Sequence, residues 1–196
     1  MRRNRLLALV VPFVLNLAAV PEQPALGVQK AGWYEKAVKK LEAKFDPAEA
    51  KPGQTVTFKL TIELNDGFYT YPTMQPEKVA ASYVNVLKFP APSSVIFVGS
   101  VADPKDFDSK EEPDLMIKEM HTLPGTSTFT RKAVVSPKAA AGTIEVKLDS
   151  FRLMVCDKKN CFPSKVVPVA ATLKVLDGPA VQVDKEFAEE VMKALK

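Results

Sequence analysis

The chain has 196 residues, enough for one domain with a sizeable buried core plus short extensions. Its 46% hydrophobic and 26% charged residues are ordinary for a globular protein, and 27 Lys and Arg nearly balance 23 Asp and Glu. Sixteen prolines against eight glycines favour many strand ends and turns over long helices.

Residues 1–27 read as a signal peptide. Arg2, Arg3 and Arg5 form a basic n-region, Leu6 to Val20 an apolar h-region, and Ala25-Leu26-Gly27 a small-residue cleavage site. An uncleaved anchor helix is the alternative, but the run is short for a bilayer span. No cysteine follows the h-region, so a lipoprotein anchor is excluded. The mature chain is expected to be soluble and periplasmic or otherwise exported, meeting the membrane only through the signal segment. It retains 24 basic and 22 acidic residues, which is no nucleic-acid signature.

Residues 28–45 read as an N-terminal helix, with Trp33, Ala37, Leu41 and Phe45 repeating every four residues and Lys and Glu on the other face. Val56, Phe58, Leu60, Ile62 and Leu64 then alternate with polar residues, which predicts a strand with one buried face. Asn65-Asp66-Gly67 turns the chain into Phe68–Tyr71, which Pro72 stops. Further strands are expected over Tyr83–Phe89, Val95–Val101 and Thr126–Val135, with a short edge strand over Leu115–Met120. Asp103–Pro113 reads as an acidic loop holding one large apolar residue, Phe107. Ile144, Val146 and Leu148 alternate again, and a final helix over 179–196 is capped by Asp184, with Phe187, Val191 and Leu195 on one face.

Seven or eight short strands without βαβ alternation predict an all-β fold. The architecture expected over 46–178 is an immunoglobulin-like antiparallel β-sandwich, flanked by short N- and C-terminal helices. The single Trp falls in the predicted N-terminal helix and not between two cysteines, which excludes an antibody-like inter-sheet disulfide.

The only two cysteines, Cys156 and Cys161, flank Asp157-Lys158-Lys159-Asn160 between apolar runs. That pattern predicts a β-hairpin with the cysteines facing each other across its mouth. Opposed antiparallel residues lie about 4.5–5.5 Å apart at Cα, within reach of a disulfide. Closing so short a loop stabilises by only about 2 kcal/mol. Such a bond in an exported protein is either a plain staple or a pair that is made and broken. A metal chaperone using Met154, Cys156, Cys161 and His121 is a third option, but two Cys and one His leave a tetrahedral site incomplete. His121 otherwise reads as a surface strand residue. Lys158, Lys159 and Lys165 favour a thiolate nearby and Asp157 opposes it. No phosphate loop, dinucleotide fingerprint or Ser/His/Asp set is legible, so no cofactor and no metal are expected, and enzymatic chemistry would be thiol–disulfide exchange. The non-catalytic alternative is an envelope binding or structural module with a structural disulfide.

Cys156-x4-Cys161-Phe162-Pro163, followed by Val166-Val167-Pro168-Val169, resembles the N-terminal periplasmic domain of the thiol:disulfide interchange protein DsbD and its stand-alone relatives. Asp66-Gly67-Phe68-Tyr69-Thr70-Tyr71 is similar to that family's Gly-aromatic-aromatic-x-Tyr strand, and Ala50-Lys-Pro-Gly53 is a usual lead-in there. The resemblance spans roughly residues 45–176. It implies a redox hairpin that exchanges electrons with thioredoxin-like proteins. Cys161 then forms the mixed disulfide with partners, Cys156 resolves it, and Phe162, Pro163, Tyr69 and Tyr71 support the pair. It also implies a cap loop, for which Asp106 and Phe107 are the nearest counterparts. Three features depart from the pattern. The best-known members have one more residue between the cysteines, and Ser164 stands where a second Pro is common. No membrane or thioredoxin-like domain follows, so a separate, membrane-bound electron donor is expected.

Overall fold

A computed structural model describes residues 32–196. Its elements are α1 (Trp33–Ala37), β1 (Val38–Asp46), β2 (Glu49–Ala50), β3 (Thr55–Leu64), β4 (Phe68–Thr70), β5 (Val86–Lys88), β6 (Val95–Ala102), β7 (Asp108–Glu112), β8 (Ile117–Pro124), β9 (Thr126–Val135), β10 (Gly142–Lys147), β11 (Ser150–Leu153), β12 (Val155–Asp157), β13 (Lys165–Val167), β14 (Ala170–Val175) and α2 (Ala188–Ala194). The signal-peptide reading of 1–27 lies outside the described residues.

The fold is an immunoglobulin-like β-sandwich. One layer is the sheet β1-β3-β9-β6; facing it are β10-β14-β2 and β13-β11-β5, with β12-β4-β8-β7 continuing at one end. Pairing is antiparallel except for the short β2–β14 pair. The alternation in β3 does what its pattern demands: Val56, Phe58, Leu60, Ile62 and Leu64 are all buried, while Thr55, Thr57, Lys59, Thr61 and Glu63 are not. They share one apolar core with Val146, Phe151, Leu153, Val155 and Leu173 of the opposing layer. The outer face of β6 and β9 is apolar too, through Ile96, Val98 and Val134, and α2 covers it with Val191.

Several expectations are corrected. Of the helix expected over 28–45, residues 28–31 lie outside the described residues; within these, α1 ends at Ala37 and β1 runs to Asp46. Lys and Glu between Leu41, Ala43 and Phe45 satisfy a strand period as well as a helical one. Pairing with β3 decides the matter, because it places Ala43 opposite Leu60 and Phe45 opposite Phe58 in the core. The Asp103–Pro113 loop contains β7, paired along β8. The segment expected as a short edge strand lengthens to Ile117–Pro124 and lies inside its sheet, between β4 and β7. The strand expected over Tyr83–Phe89 shrinks to Val86–Lys88. Asp184 does not cap α2; its carboxylate instead accepts the Thr55 hydroxyl at 2.6 Å.

Candidate functional site

The cysteine hairpin straddles two sheets. Its base, β11, pairs with β13, Phe151 opposite Val167. Past Met154 the outgoing leg becomes β12 and pairs with β4, Cys156 opposite Tyr69. The tip is a tight turn in which Asp157 N–H donates to Asn160 O at 2.8 Å and Phe162 N–H donates to Val155 O at 3.0 Å. Cys156 and Cys161 fall between these two bonded pairs, in the closely spaced, non-hydrogen-bonded position of the ladder. They are joined by a disulfide with Cα atoms 4.0 Å apart, closer than the sequence-based expectation because the pair is of this close type. The Asp157 carboxylate accepts the N–H groups of Lys159 and Asn160, both at 2.7 Å. Those two bonds hold its pKa below the usual carboxylate range.

The two sulfurs live in different environments. Cys156 is 0% exposed and packs with Tyr71, Ala80, Ile117 and Met120, in a small cluster separate from the main core. Cys161 is exposed. A disulfide has no proton to give, so the Tyr71 hydroxyl is the donor, 3.1 Å from Cys156 Sγ and 3.6 Å from Cys161 Sγ. Tyr71 is itself buried between Tyr69 and Tyr83, with ring centroids at 5.8 and 5.7 Å. Burial, reinforced by Tyr69, raises its pKa, so the hydroxyl keeps its proton. Lys110 donates to the Tyr69 hydroxyl at 2.9 Å and pairs with Glu112 at 2.6 Å.

A recess of about 210 Å³ opens over Cys161, bounded by Tyr71, Glu112, Leu115 and the turn residues 157–160. Glu112 ends β7 and Leu115 lies in the β7–β8 connection, so this segment, and not Asp106-Phe107, lines the recess at Cys161. Phe107 stacks on His121, with centroids 3.8 Å apart, and contributes to a neighbouring groove of about 760 Å³. Asp106 is exposed beside it. His121 is further engaged by Glu119 at 2.8 Å. Lys165 turns away from the sulfurs to Glu35, at 3.6 Å, and the Tyr34 ring. Phe162 packs between Trp33 and Phe68, and Pro163 is exposed.

No family model matches the chain, and no curated protein matches it. Among solved structures it is similar to the N-terminal periplasmic domain of ScsB from Proteus mirabilis, at 12% identity and a TM-score of 0.41 over 76% of this chain and 50% of that one. It thus spans half the length of that structure. It is also similar to a non-cellulosomal cohesin from the hyperthermophilic archaeon Archaeoglobus fulgidus, at 15% identity and a TM-score of 0.37 over 70% of this chain and 92% of that one. Both likenesses are distant, and the chemistry has to be read from the disulfide itself.

Behind the pair stands a residue that the sequence reading passed over. Asn85 is fully buried and donates to Thr70 Oγ1 at 2.9 Å and Tyr71 O at 2.6 Å. Its side-chain oxygen accepts Met154 N–H at 2.9 Å. One amide therefore ties Thr70 at the end of β4, and Tyr71 just past it, to the chain two residues before Cys156. A lone Asn inside the apolar run Tyr83–Phe89 was the available signal, since a polar side chain in such a run is either exposed or fully bonded. Asn85→Ala leaves buried backbone groups unpaired and is expected to cost about 2–3 kcal/mol, read as a lowered urea midpoint at constant slope.

Proposed function

We propose that this is an exported thiol–disulfide interchange protein that relays electrons through Cys156 and Cys161 to or from partner proteins. The observation that carries the reading is the asymmetry of the pair. An exposed cysteine is bonded to a fully buried one, and a buried tyrosine hydroxyl stands within hydrogen-bonding reach of both sulfurs. A staple needs no such arrangement, and a loop this short stabilises little when closed.

The geometry supports a definite order of events. The thiolate of a dithiol partner attacks Cys161 Sγ, because Cys161 is the exposed residue of the pair and Cys156 is fully buried. A bond forms between the partner sulfur and Cys161, and the Cys156–Cys161 bond breaks. Cys156 leaves as a thiolate in a fully buried site, where the Tyr71 O–H meets the charge. The partner's second thiol then attacks its own sulfur in the mixed disulfide. This releases an oxidised partner and leaves Cys156 and Cys161 as a dithiol carrying two electrons and two protons more than before. Run in reverse on an oxidised partner, Cys161 attacks and Cys156 resolves. The partners this reading takes are thioredoxin-like proteins and a membrane-bound electron donor.

Trapping tests the roles. Cys156→Ser is expected to accumulate mixed disulfides through Cys161 in an envelope extract, whereas Cys161→Ser accumulates none. A redox titration completes the test. A pair still oxidised in buffers poised below about −300 mV would be a structural staple, and the relay would be abandoned.

A further inference from the structure

Phe162 directly follows the exposed cysteine, and aromatic rings converge on it. Trp33 of α1 stacks against it, with centroids 5.7 Å apart and planes within 12°. Phe68 of β4 touches the same ring at 6.2 Å. The next two residues of α1 grip the same leg of the hairpin: Lys165 Nζ lies 4.4 Å from the centre of the Tyr34 ring and 3.6 Å from Glu35 Oε1. α1 is five residues long and has no side-chain cap, so its own helical bonds could not hold it. Its place comes from these contacts and from Ala37, buried in the main core.

The returning leg needs such an anchor. Residues 162–164 belong to no strand, and Pro163 has no N–H to give to a ladder. While the disulfide is closed, the covalent bond keeps Cys161 opposite Cys156. Once it opens, that task falls to the turn bonds of Asp157 on one side of the pair, and on the other to the Phe162–Val155 backbone bond and whatever holds the Phe162 ring.

We propose that Trp33 is a positioning residue for the redox pair: by stacking on Phe162 it keeps Cys161 opposite Cys156 in the dithiol state, so that the bond recloses readily. The proposal rests on the redox reading above and extends that site to a residue far from the hairpin in sequence. The stack acts by raising the effective concentration of one thiol at the other. Removing an aromatic contact of this kind is expected to shift the pair's equilibrium with glutathione toward the dithiol about two- to tenfold.

The test compares the full chain with Trp33→Ala and Trp33→Phe in buffers of reduced and oxidised glutathione, with the oxidised fraction read by thiol alkylation. Trp33→Ala should show the two- to tenfold shift, and Trp33→Phe should restore most of it. An unchanged constant in Trp33→Ala overturns the proposal. Trp33 is the single tryptophan, so the unmutated protein supplies a second measurement. Acrylamide quenching should be equal in the two redox states; a tryptophan that opens to solvent on reduction also overturns it. Failure of the relay reading would look different. Cys161 would then capture no partner, or the pair would stay oxidised below about −300 mV; the dependence on Trp33 would still be read, in dithiothreitol buffers where glutathione does not reach.

Discussion

Replacing Tyr71 by Phe is expected to slow reduction of the disulfide at least about tenfold while leaving the fold intact. In the oxidised protein the hydroxyl donates to neutral sulfurs, a weak bond whose loss costs little. The phenylalanine ring keeps the contacts with Tyr69 and Tyr83. When a thiolate attacks Cys161, negative charge develops on Cys156 Sγ, which is 0% exposed. The nearest donor is the Tyr71 hydroxyl at 3.1 Å. Hydrogen bonds to charged groups contribute about 1.5–3 kcal/mol, or roughly 10- to 150-fold in rate. The raised pKa of Tyr71 matters here, because the hydroxyl keeps its proton wherever an attacking thiolate exists. Stopped-flow reduction by dithiothreitol measures the effect. A Tyr71→Phe protein reduced at the unmutated rate would show that the departing charge is met by something else.

The largest expected effect on stability is at Phe58. Its side chain is 1% exposed and meets Phe45, Phe89 and Phe97 at centroid distances of 5.7, 5.8 and 5.8 Å. Phe58→Ala removes the central member of this aromatic group from the middle strand of the main sheet. It is expected to cost about 3–5 kcal/mol, part lost transfer energy and part cavity. Thr57, one residue away on the opposite face, is only half-buried, and its replacement by Ala should stay within about 1 kcal/mol. A guanidinium unfolding series on the two variants reads the difference. Comparable losses at both positions would mean that the buried face of β3 does not carry the core.

These two residues also mark how much could be read in advance. Phe58 sits in a ten-residue alternation, a local signal that needs no partner to be recognised, and its burial followed from period two alone. The turn at Asp157–Asn160 and the facing of Cys156 and Cys161 were legible for the same reason: neighbours along one hairpin are close by covalent geometry. Tyr71 was legible only through the resemblance of its strand to that of a known family. Nothing in its own neighbourhood says that 85 residues later a sulfur will lie 3.1 Å from its hydroxyl. Asn85 left a faint trace as a polar residue in an apolar run, but its three partners come from two other segments, Thr70–Tyr71 and Met154, the second 69 residues away.

The N-terminal segment shows the limit most plainly. Leu41 and Phe45 satisfy a helical period and a strand period at once, so local pattern could not choose. The edge of β3, waiting to be paired and covered, chose the strand. The cap is a parallel case. Phe107 was the conspicuous aromatic in the acidic stretch, but β7 pairs with β8, Phe107 stacks on His121, and Glu112 and Leu115 are set beside Cys161 instead.

What the sequence by itself determined is what short-range chemistry controls: an all-β chain, the buried face of each alternating strand, and a hairpin whose two cysteines can bond. Only the tertiary structure decided which cysteine is exposed, which hydroxyl lies against the buried one, and that Trp33 stacks on the hairpin from the far end of the described chain. Those are properties of packing between segments distant in sequence, where the position of each side chain depends on every layer around it.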